Sequence, residues 1–242
     1  MIDLTNFGFT AMMRLRGAIR AEFERQEPAT MEEAAQRMVG IFRDELRDEN
    51  RNPACALVRV YKTHPYADLP PDLQAFARNL DPKAGELPAL RCLVLLATAG
   101  DEPTWNSRHA SRGHRAIPLS SEKAVAEAPM VSQLIAQLGL SVGSVLRPEP
   151  GLLLDMGDRV QNVFYVPEAS RSAAIVAQED FVRPYGIRSV IGFGGLLASG
   201  DLIVAILFAK VPITAEAADQ FKVIGLNFKL AMLPFVRKPL FG

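Results

Sequence analysis

Seven consecutive apolar residues at positions 202–208, Leu-Ile-Val-Ala-Ile-Leu-Phe, constrain the fold of this chain more than any other feature. A strand with one solvated face alternates apolar and polar side chains, whereas this segment is apolar on both sides. We therefore expect a central strand with a layer of helix on each face. The segment at 188–197 is joined to it by a short connection that contains Gly200, which predicts an antiparallel hairpin.

Periodicity and capping residues predict the other elements. Thr30 and Glu33 form a capping box that begins the second helix, and Thr214 caps the last one. We expect one α+β structural unit, in which residues 1–50 are a helical extension packed on a main domain of residues 51–242. The predicted strands are at 54–61, 90–99 and 162–166, the helices at 12–26, 31–47, 69–80, 120–138 and 215–234, and a long polar connection at 104–119.

The charge balance and the apolar patterning exclude several classes of protein. Twenty-seven basic residues are balanced by 27 acidic ones, so the chain lacks the positive field of a typical nucleic-acid-binding protein. No stretch matches the roughly 20 apolar residues that span a bilayer, and the N-terminus lacks the pattern of a secretory signal. We expect a cytoplasmic protein that binds neither membranes nor nucleic acids.

Segments in the last third of the chain resemble the GAF family of sensory domains. They are Asn-Val-Phe-Tyr-Val-Pro-Glu-Ala at 162–169, Tyr-Gly-Ile-Arg-Ser-Val-Ile-Gly-Phe at 185–193, Ser-Gly-Asp-Leu-Ile-Val-Ala-Ile-Leu at 199–207 and Ile-Thr-Ala-Glu at 213–216. Residues 210–213, Lys-Val-Pro-Ile, depart from the family, where a Pro-Phe pair is more usual. The resemblance is carried mainly by hairpin and cap residues, so it concerns the fold rather than catalysis.

The resemblance implies a GAF-like, PAS-related fold: an antiparallel sheet of five or six strands with terminal helices on one face, and loops and short helices over the other. It also implies a non-catalytic regulatory domain of bacterial signal transduction. Such a domain binds a small ligand or relays a signal through a dimer to an output domain, fused or separate. A ligand is expected on the sheet face opposite the terminal helices, beneath the segments at 104–119 and 170–185.

Those two segments hold the candidate ligand-binding residues. Within positions 105–115 the chain has one tryptophan, three arginines and two histidines but no acid. Guanidinium groups present forked donors to carboxylates and phosphates, so we expect a small anionic molecule packed against an aromatic ring. A solvated surface loop is the competing interpretation. The candidates are Trp105, Arg108, His109, Arg112, His114, Arg115, Phe181 and Tyr185.

Other chemistries are less well supported by the residues. A GAF-fold enzyme of the free methionine sulfoxide reductase type needs cysteines that converge on one pocket, and Cys55 and Cys92 lie on separate predicted strands. His64, with the histidines of the 105–115 segment, lacks the carboxylate or thiolate spacing of a metal site. The glycines at 192, 194 and 195 do not open a helix, so they indicate a bulged or closely packed strand rather than a phosphate loop. We predict no catalytic residue, no metal and no identifiable cofactor.

The last helix is apolar on more than one side. Phe221, Ile224 and Phe228 form one stripe, while Val223 and Leu230 lie on another. We therefore expect a homodimer through the terminal helices, although the N-terminal helices of the same chain could cover the second stripe. A purely structural dimerisation module is the third functional alternative.

Overall fold

A computed structural model describes residues 1–25, 27–148 and 162–242 and shows a mixed α+β protein. No helix within these ranges is both long and apolar enough to cross a membrane. The strands are β1 (Ile2–Asp3), β2 (Leu46–Arg47), β3 (Cys55–Pro65), β4 (Arg91–Gly100), β5 (Ala116–Pro118), β6 (Val163–Val166), β7 (Ser189–Leu196) and β8 (Leu202–Ala209). The helices are α1 (Phe9–Arg25), α2 (Met31–Glu45), α3 (Pro71–Leu80), α4 (Glu122–Ala126), α5 (Pro129–Gln137), α6 (Val142–Leu146) and α7 (Ala215–Met232).

Strand β8 is one of the two central strands of a six-stranded sheet with the order β5-β4-β3-β8-β7-β6. It pairs antiparallel with β3 on one side and with β7 on the other, and all of its residues are buried. The predicted central strand and the antiparallel β7–β8 hairpin are therefore confirmed. Every pairing in this sheet is antiparallel, and β1 and β2 form a separate parallel pair.

Three long helices, α1, α2 and α7, cover one side of the sheet, which we call the helix face. The Phe193 ring on β7 lies 5.3 Å from that of Phe42 on α2 and 5.3 Å from that of Phe221 on α7. Leu15 of α1 is fully buried in the same core. The helices predicted as an extension therefore share their core with the sheet, and the division of the chain at residue 50 stays a prediction.

Helix α2 begins at the predicted cap and also completes the sheet. The Glu33 backbone N–H donates to Thr30 Oγ1 at 3.1 Å, and the Glu33 carboxylate accepts from the backbone N–H of Ala29 at 2.8 Å. Strand β5 pairs only with residues 92–94 of β4, so it does not reach Thr98. Gln36 of α2 provides the hydrogen bonds that a neighbouring strand would otherwise make with Thr98. Its side-chain amide accepts from the Thr98 N–H and donates to the Thr98 carbonyl, both at 3.4 Å.

The opposite side, which we call the loop face, is covered by α4, α5, α6 and the irregular segments 101–115 and 167–188. Terminal helices on one face and short helices with loops on the other agree with the expected α+β architecture. The helix predicted at 120–138 is split into α4 and α5, because Pro129 has no N–H to continue the helical hydrogen bonds. The connection predicted at 104–119 contains strand β5, whose three residues are too few for a periodic pattern to show.

Close packing accounts for the glycines of β7. Gly194 has φ +149°, and a Cβ atom there would overlap the carbonyl oxygen of Ile203 on β8. Gly225 of α7 lies against the same point, since its own Cβ would be 3.3 Å from the backbone nitrogen of Gly194. The prediction of a closely packed strand is therefore confirmed.

A buried ionic cluster holds the β7–β8 hairpin against β3 and β4. Asp201 of the hairpin accepts from Lys62 Nζ at 2.6 Å through Oδ2 and from Arg91 through Oδ1, and we call these three residues the Asp201 cluster. The backbone N–H of Leu202 donates to Thr63 Oγ1 at 2.9 Å beside it. Burial lowers the pKa of Lys62, and the two cations help to keep the pKa of Asp201 low despite its burial.

Candidate functional site

An aromatic cluster lies on the loop face, made from three separate parts of the chain. The Trp105 ring is 4.5 Å from that of Tyr185 and 5.6 Å from that of Phe181, and the Phe181 ring lies 5.0 Å from that of Phe208 on β8. We call these four residues the aromatic cluster. Trp105, Phe181 and Tyr185 are only partly buried, so the cluster presents aromatic surface as well as packing on the sheet.

The local structure after β4 fixes the position of Trp105. Asn106 acts as a clamp, because its side chain accepts from the Gly100 N–H at 3.0 Å and donates to the Gly100 carbonyl at 3.2 Å. A Cβ atom at Gly100 would lie 2.7 Å from the indole ring. Glycine at this position therefore lets the indole approach the end of the strand.

Two of the predicted anion-binding arginines are paired with acids from the helices. Arg108 donates to both carboxylate oxygens of Glu32 on α2, and its guanidinium carbon lies 4.2 Å from the ring centre of Phe241. Arg115 donates to Asp72 Oδ2 of α3 at 2.6 Å. Their positive charges are already matched inside the chain, and neither contributes to the aromatic cluster.

The remaining candidates on this segment are Arg112, His109 and His114. All three are exposed to solvent. The structure thus gathers the three aromatic candidates at one place and distributes the charged ones over several. Ligand binding by the eight predicted residues stays a prediction.

Arg59 of β3 is buried on the loop face and contacts no carboxylate of the described ranges. Only 8% of the residue is exposed. Its Nη1 donates to Tyr61 Oη and its Nη2 to Ser111 Oγ, both at 3.1 Å. Arg59 Nε and Thr98 Oγ1 are buried with no hydrogen-bond partner in the described part of the chain. We call Arg59, Tyr61, Thr98 and Ser111 the Arg59 group.

His114 lies at the edge of the Arg59 group. Its φ of +59° is uncommon for a residue other than glycine. Desolvation of the ring, followed by the positive charge of Arg59, lowers the pKa of His114, which favours the neutral imidazole. The residue is exposed to solvent, so it lies on the outer side of the buried guanidinium.

The strand register makes the aromatic cluster and the Arg59 group neighbours. Leu57 of β3 is opposite Phe208 of β8, and the next pair on the same face is Arg59 with Ile206. Two residues along a strand cover about 7 Å. Thr98 is directly opposite Arg59 on the other neighbouring strand, β4. The aromatic cluster and the Arg59 group therefore lie side by side on the loop face, and together they make up the candidate site, with an aromatic half and a polar half.

Sequence reasoning singled out the aromatic half but missed Arg59. The signal is present in the printed sequence, because Arg59 is the only charged residue in Ala-Cys-Ala-Leu-Val-Arg-Val-Tyr at 54–61. It alternates with Leu57 and Tyr61, so it projects from the same face of the predicted strand. A single arginine inside an apolar strand needs a partner, and that requirement identifies the position.

The cysteines do not meet the geometric requirement of the reductase alternative. Cys55 begins β3, whereas Cys92 of β4 is opposite His64, nine residues further along β3. That separation is about 30 Å along the strand. Burial raises the pKa of each thiol to about 12, so neither is a reactive thiolate at neutral pH. In the described ranges no group of three or more His, Cys, Asp and Glu side chains is arranged to hold a metal ion.

Comparisons with known proteins leave the family open. No protein-family model and no curated protein matches the chain. Among solved structures, the chain is similar to an N-acylhomoserine-lactone-dependent LuxR-family transcription factor from Burkholderia cenocepacia. The sequence identity is 12%, the TM-score is 0.42, and the alignment covers 95% of this chain and 99% of that one. A likeness of this strength identifies neither the family nor the ligand of this chain.

Proposed function

We propose that this protein is a non-catalytic sensory domain of the GAF type, which binds a small organic molecule on the loop face of its sheet. The observation that carries the proposal is the aromatic cluster beside the Arg59 group. Partly exposed aromatic rings next to a few fixed polar groups are typical of small-molecule sites. Because α1, α2 and α7 cover the other face, a ligand on the loop face touches the same strands that these helices contact.

The sole tryptophan of the chain allows a direct test. Trp105 is part of the aromatic cluster, so its intrinsic fluorescence reports on this site alone. We expect a co-purified molecule, or compounds from a small-molecule library, to change the emission in a saturable way. Calorimetry on Trp105→Ala should then show affinity reduced by about 10-fold through the lost aromatic contact.

The matched control is Phe9→Ala, which removes an exposed aromatic ring from α1. This variant should bind with the affinity of the unchanged protein. If no molecule co-purifies and no library compound alters the Trp105 emission, the sensory function is wrong. The purely structural dimerisation module would then be the better interpretation.

We also propose that the signal passes through a homodimer formed by α7. The exposed apolar residues of α7 and of the turn that directly follows it are spaced by three, four and three positions, which is the pattern of a helix–helix seam. The side chains are exposed by 37 to 53% within the single chain, so α1 and α2 do not cover them. They are Val223, Leu226 and Leu230 of α7 and Leu233, which directly follows the helix.

Light scattering should give about twice the chain mass of 26.5 kDa for the unchanged protein at micromolar concentrations. The Leu226→Glu, Leu230→Glu double variant should be monomeric, because it buries two unpaired carboxylates in the seam. Leu80→Glu, at an exposed leucine of α3, is the control and should leave the dimer intact. A monomeric mass for the unchanged protein would exclude the dimer.

A further inference from the structure

We propose that the Arg59 group binds the carboxylate of a small organic acid whose apolar part packs on the aromatic cluster. This inference rests on the proposed function and names the chemical class of its ligand. The predicted anion site of the 105–115 segment depended on loop arginines, two of which are paired with Glu32 and Asp72. The Arg59 group depends instead on a buried strand residue.

The first argument is the charge balance of the buried cations. The described ranges contain three buried cationic residues: Arg59, Lys62 and Arg108. Lys62 contacts Asp201 and Arg108 contacts Glu32, whereas the contacts of Arg59 with other described side chains are hydrogen bonds to neutral hydroxyl groups. A buried cation without an anion is strongly unfavourable, so Arg59 is the position where an added anion gains most.

The second argument is the set of free hydrogen-bonding groups. Among the residues that the structure describes, each Nη of Arg59 has one hydrogen bond to a hydroxyl, and Nε has none. Nε and one Nη form the planar fork that binds the two oxygens of a carboxylate. Thr98 Oγ1, buried without a partner and opposite Arg59 in the register, supplies a further donor at the same point.

The charge of the site distinguishes a carboxylate from a phosphate. In the described ranges Arg59 is the one cation buried in this site, and desolvation together with the charge of Arg59 lowers the pKa of the neighbouring His114. A carboxylate brings one negative charge and neutralises Arg59, while a phosphate brings nearly two and leaves an excess buried negative charge. The site therefore fits a monoanion with a planar head.

The aromatic cluster indicates the nature of the rest of the ligand. Phe208, its member on the sheet, belongs to the residue pair next to Arg59 on the same face of the sheet, about 7 Å away along the strand. The lining between them is apolar, with Leu57 and Ile206 on the sheet. An acid with a short aliphatic or aromatic body spans this distance and covers the exposed rings.

The first experiment tests ligand class with defined probes. Phenylacetate, benzoate and hexanoate are titrated into the full chain while Trp105 fluorescence and thermal unfolding are recorded, at up to about 20 mM to detect millimolar binding. The corresponding amides serve as uncharged control compounds, and phenyl phosphate serves as a dianionic control. We expect saturation and a higher Tm with a carboxylate, and at least about 10-fold weaker binding of the amides and the phosphate. No saturable effect of any carboxylate overturns the proposal.

The second experiment tests the residue. Arg59→Met should weaken carboxylate binding by about 10- to 100-fold, since charge-assisted hydrogen bonds are lost. Arg112→Met removes an exposed arginine of the loop and should leave the affinity unchanged. If Arg112→Met weakens binding and Arg59→Met does not, the loop arginines bind the anion and the Arg59 proposal fails, while the sensory function survives.

Ligand-free protein gives an independent result that does not depend on the choice of probe. If Arg59 lacks an internal anion, Arg59→Met removes an uncompensated buried charge along with the hydrogen bonds to Tyr61 and Ser111, and these opposing effects should leave the Tm after exhaustive dialysis nearly unchanged. If a carboxylate of the chain neutralises Arg59, the variant leaves that acid unpaired and lowers the Tm. A lowered Tm overturns the proposal that Arg59 binds a carboxylate. The proposal of a ligand at the aromatic cluster would be unaffected by that result.

Discussion

Asp201→Asn is expected to lower the free energy of unfolding by about 3 to 5 kcal/mol. The carboxylate of Asp201 is the shared partner of Lys62 and Arg91, and its side chain is only 14% exposed. Asparagine keeps the size of the side chain but leaves two cations unneutralised at the junction of the hairpin with β3 and β4. For a chain of this length the loss corresponds to a fall in Tm of roughly 6 to 20 °C. Denaturant unfolding followed by circular dichroism measures it.

The control variant is Asp219→Asn on α7. Asp219 pairs with Lys222 at 2.5 Å, but 60% of its side chain is exposed, so its loss should change stability by no more than about 0.5 kcal/mol. If the two variants lost the same free energy of unfolding, burial of the Asp201 cluster would not be the cause of the larger effect expected for Asp201→Asn.

The loss of unfolding free energy caused by Asp201→Asn should become smaller as the pH rises. Burial already lowers the pKa of Lys62, and removal of its carboxylate partner lowers it further. Between the folded and the unfolded pKa the unfolded state then binds more protons, so stability increases with pH across that window. A deficit that stays constant from about pH 7 to about pH 9.5 would show that the penalty is not the charge on Lys62.

The layered architecture could be predicted from the sequence because it depends on local patterns. The apolar run at 202–208 requires cover on both faces, and β8 has it. Thr30 and Thr214 begin α2 and α7 as predicted, because a cap needs only residues within one turn. Elements without a period, such as the three residues of β5, could not be found in this way.

The partners of the charged residues could not be predicted, because they are distant in the chain. Arg108 meets Glu32, 76 positions earlier, and Arg115 meets Asp72, 43 positions earlier. Spacing within the 105–115 segment carries no information about either contact. These arginines therefore resembled a free anion site until the packing of α2 and α3 was known.

For Arg59, in contrast, the local pattern did indicate that the residue needs a partner, but only the fold shows which groups surround it. Its position inside an apolar strand required a partner, but the sequence could not show whether an acid of the chain supplies it. The structure shows two neutral hydroxyls there, on Tyr61 and Ser111. The absence of a described carboxylate, rather than any motif, is what turns a buried arginine into a candidate binding residue.

Gly194→Ala is expected to lower the free energy of unfolding by about 3 to 5 kcal/mol. This value is the sum of the costs of backbone strain and of overpacking. At φ +149° a residue with a side chain is strained, and the added methyl group would overlap the Ile203 carbonyl of the neighbouring strand. The neighbour is backbone of a central strand, so it cannot move aside as a flexible side chain would. Gly225 of α7 packs against the same point, and a shift of β7 would disturb the helix face as well.

Gly17→Ala on α1 provides the matched control for the same chemical change. Gly17 is an exposed helical residue, and a Cβ atom there meets nothing within 4 Å. Alanine in a helix interior is more stable than glycine by about 0.5 to 1 kcal/mol, so this variant should unfold at slightly higher denaturant concentration. The two substitutions should therefore change stability in opposite directions in denaturant titrations. A Gly194→Ala protein as stable as the unchanged one would mean that β7 and β8 are not in contact at this point.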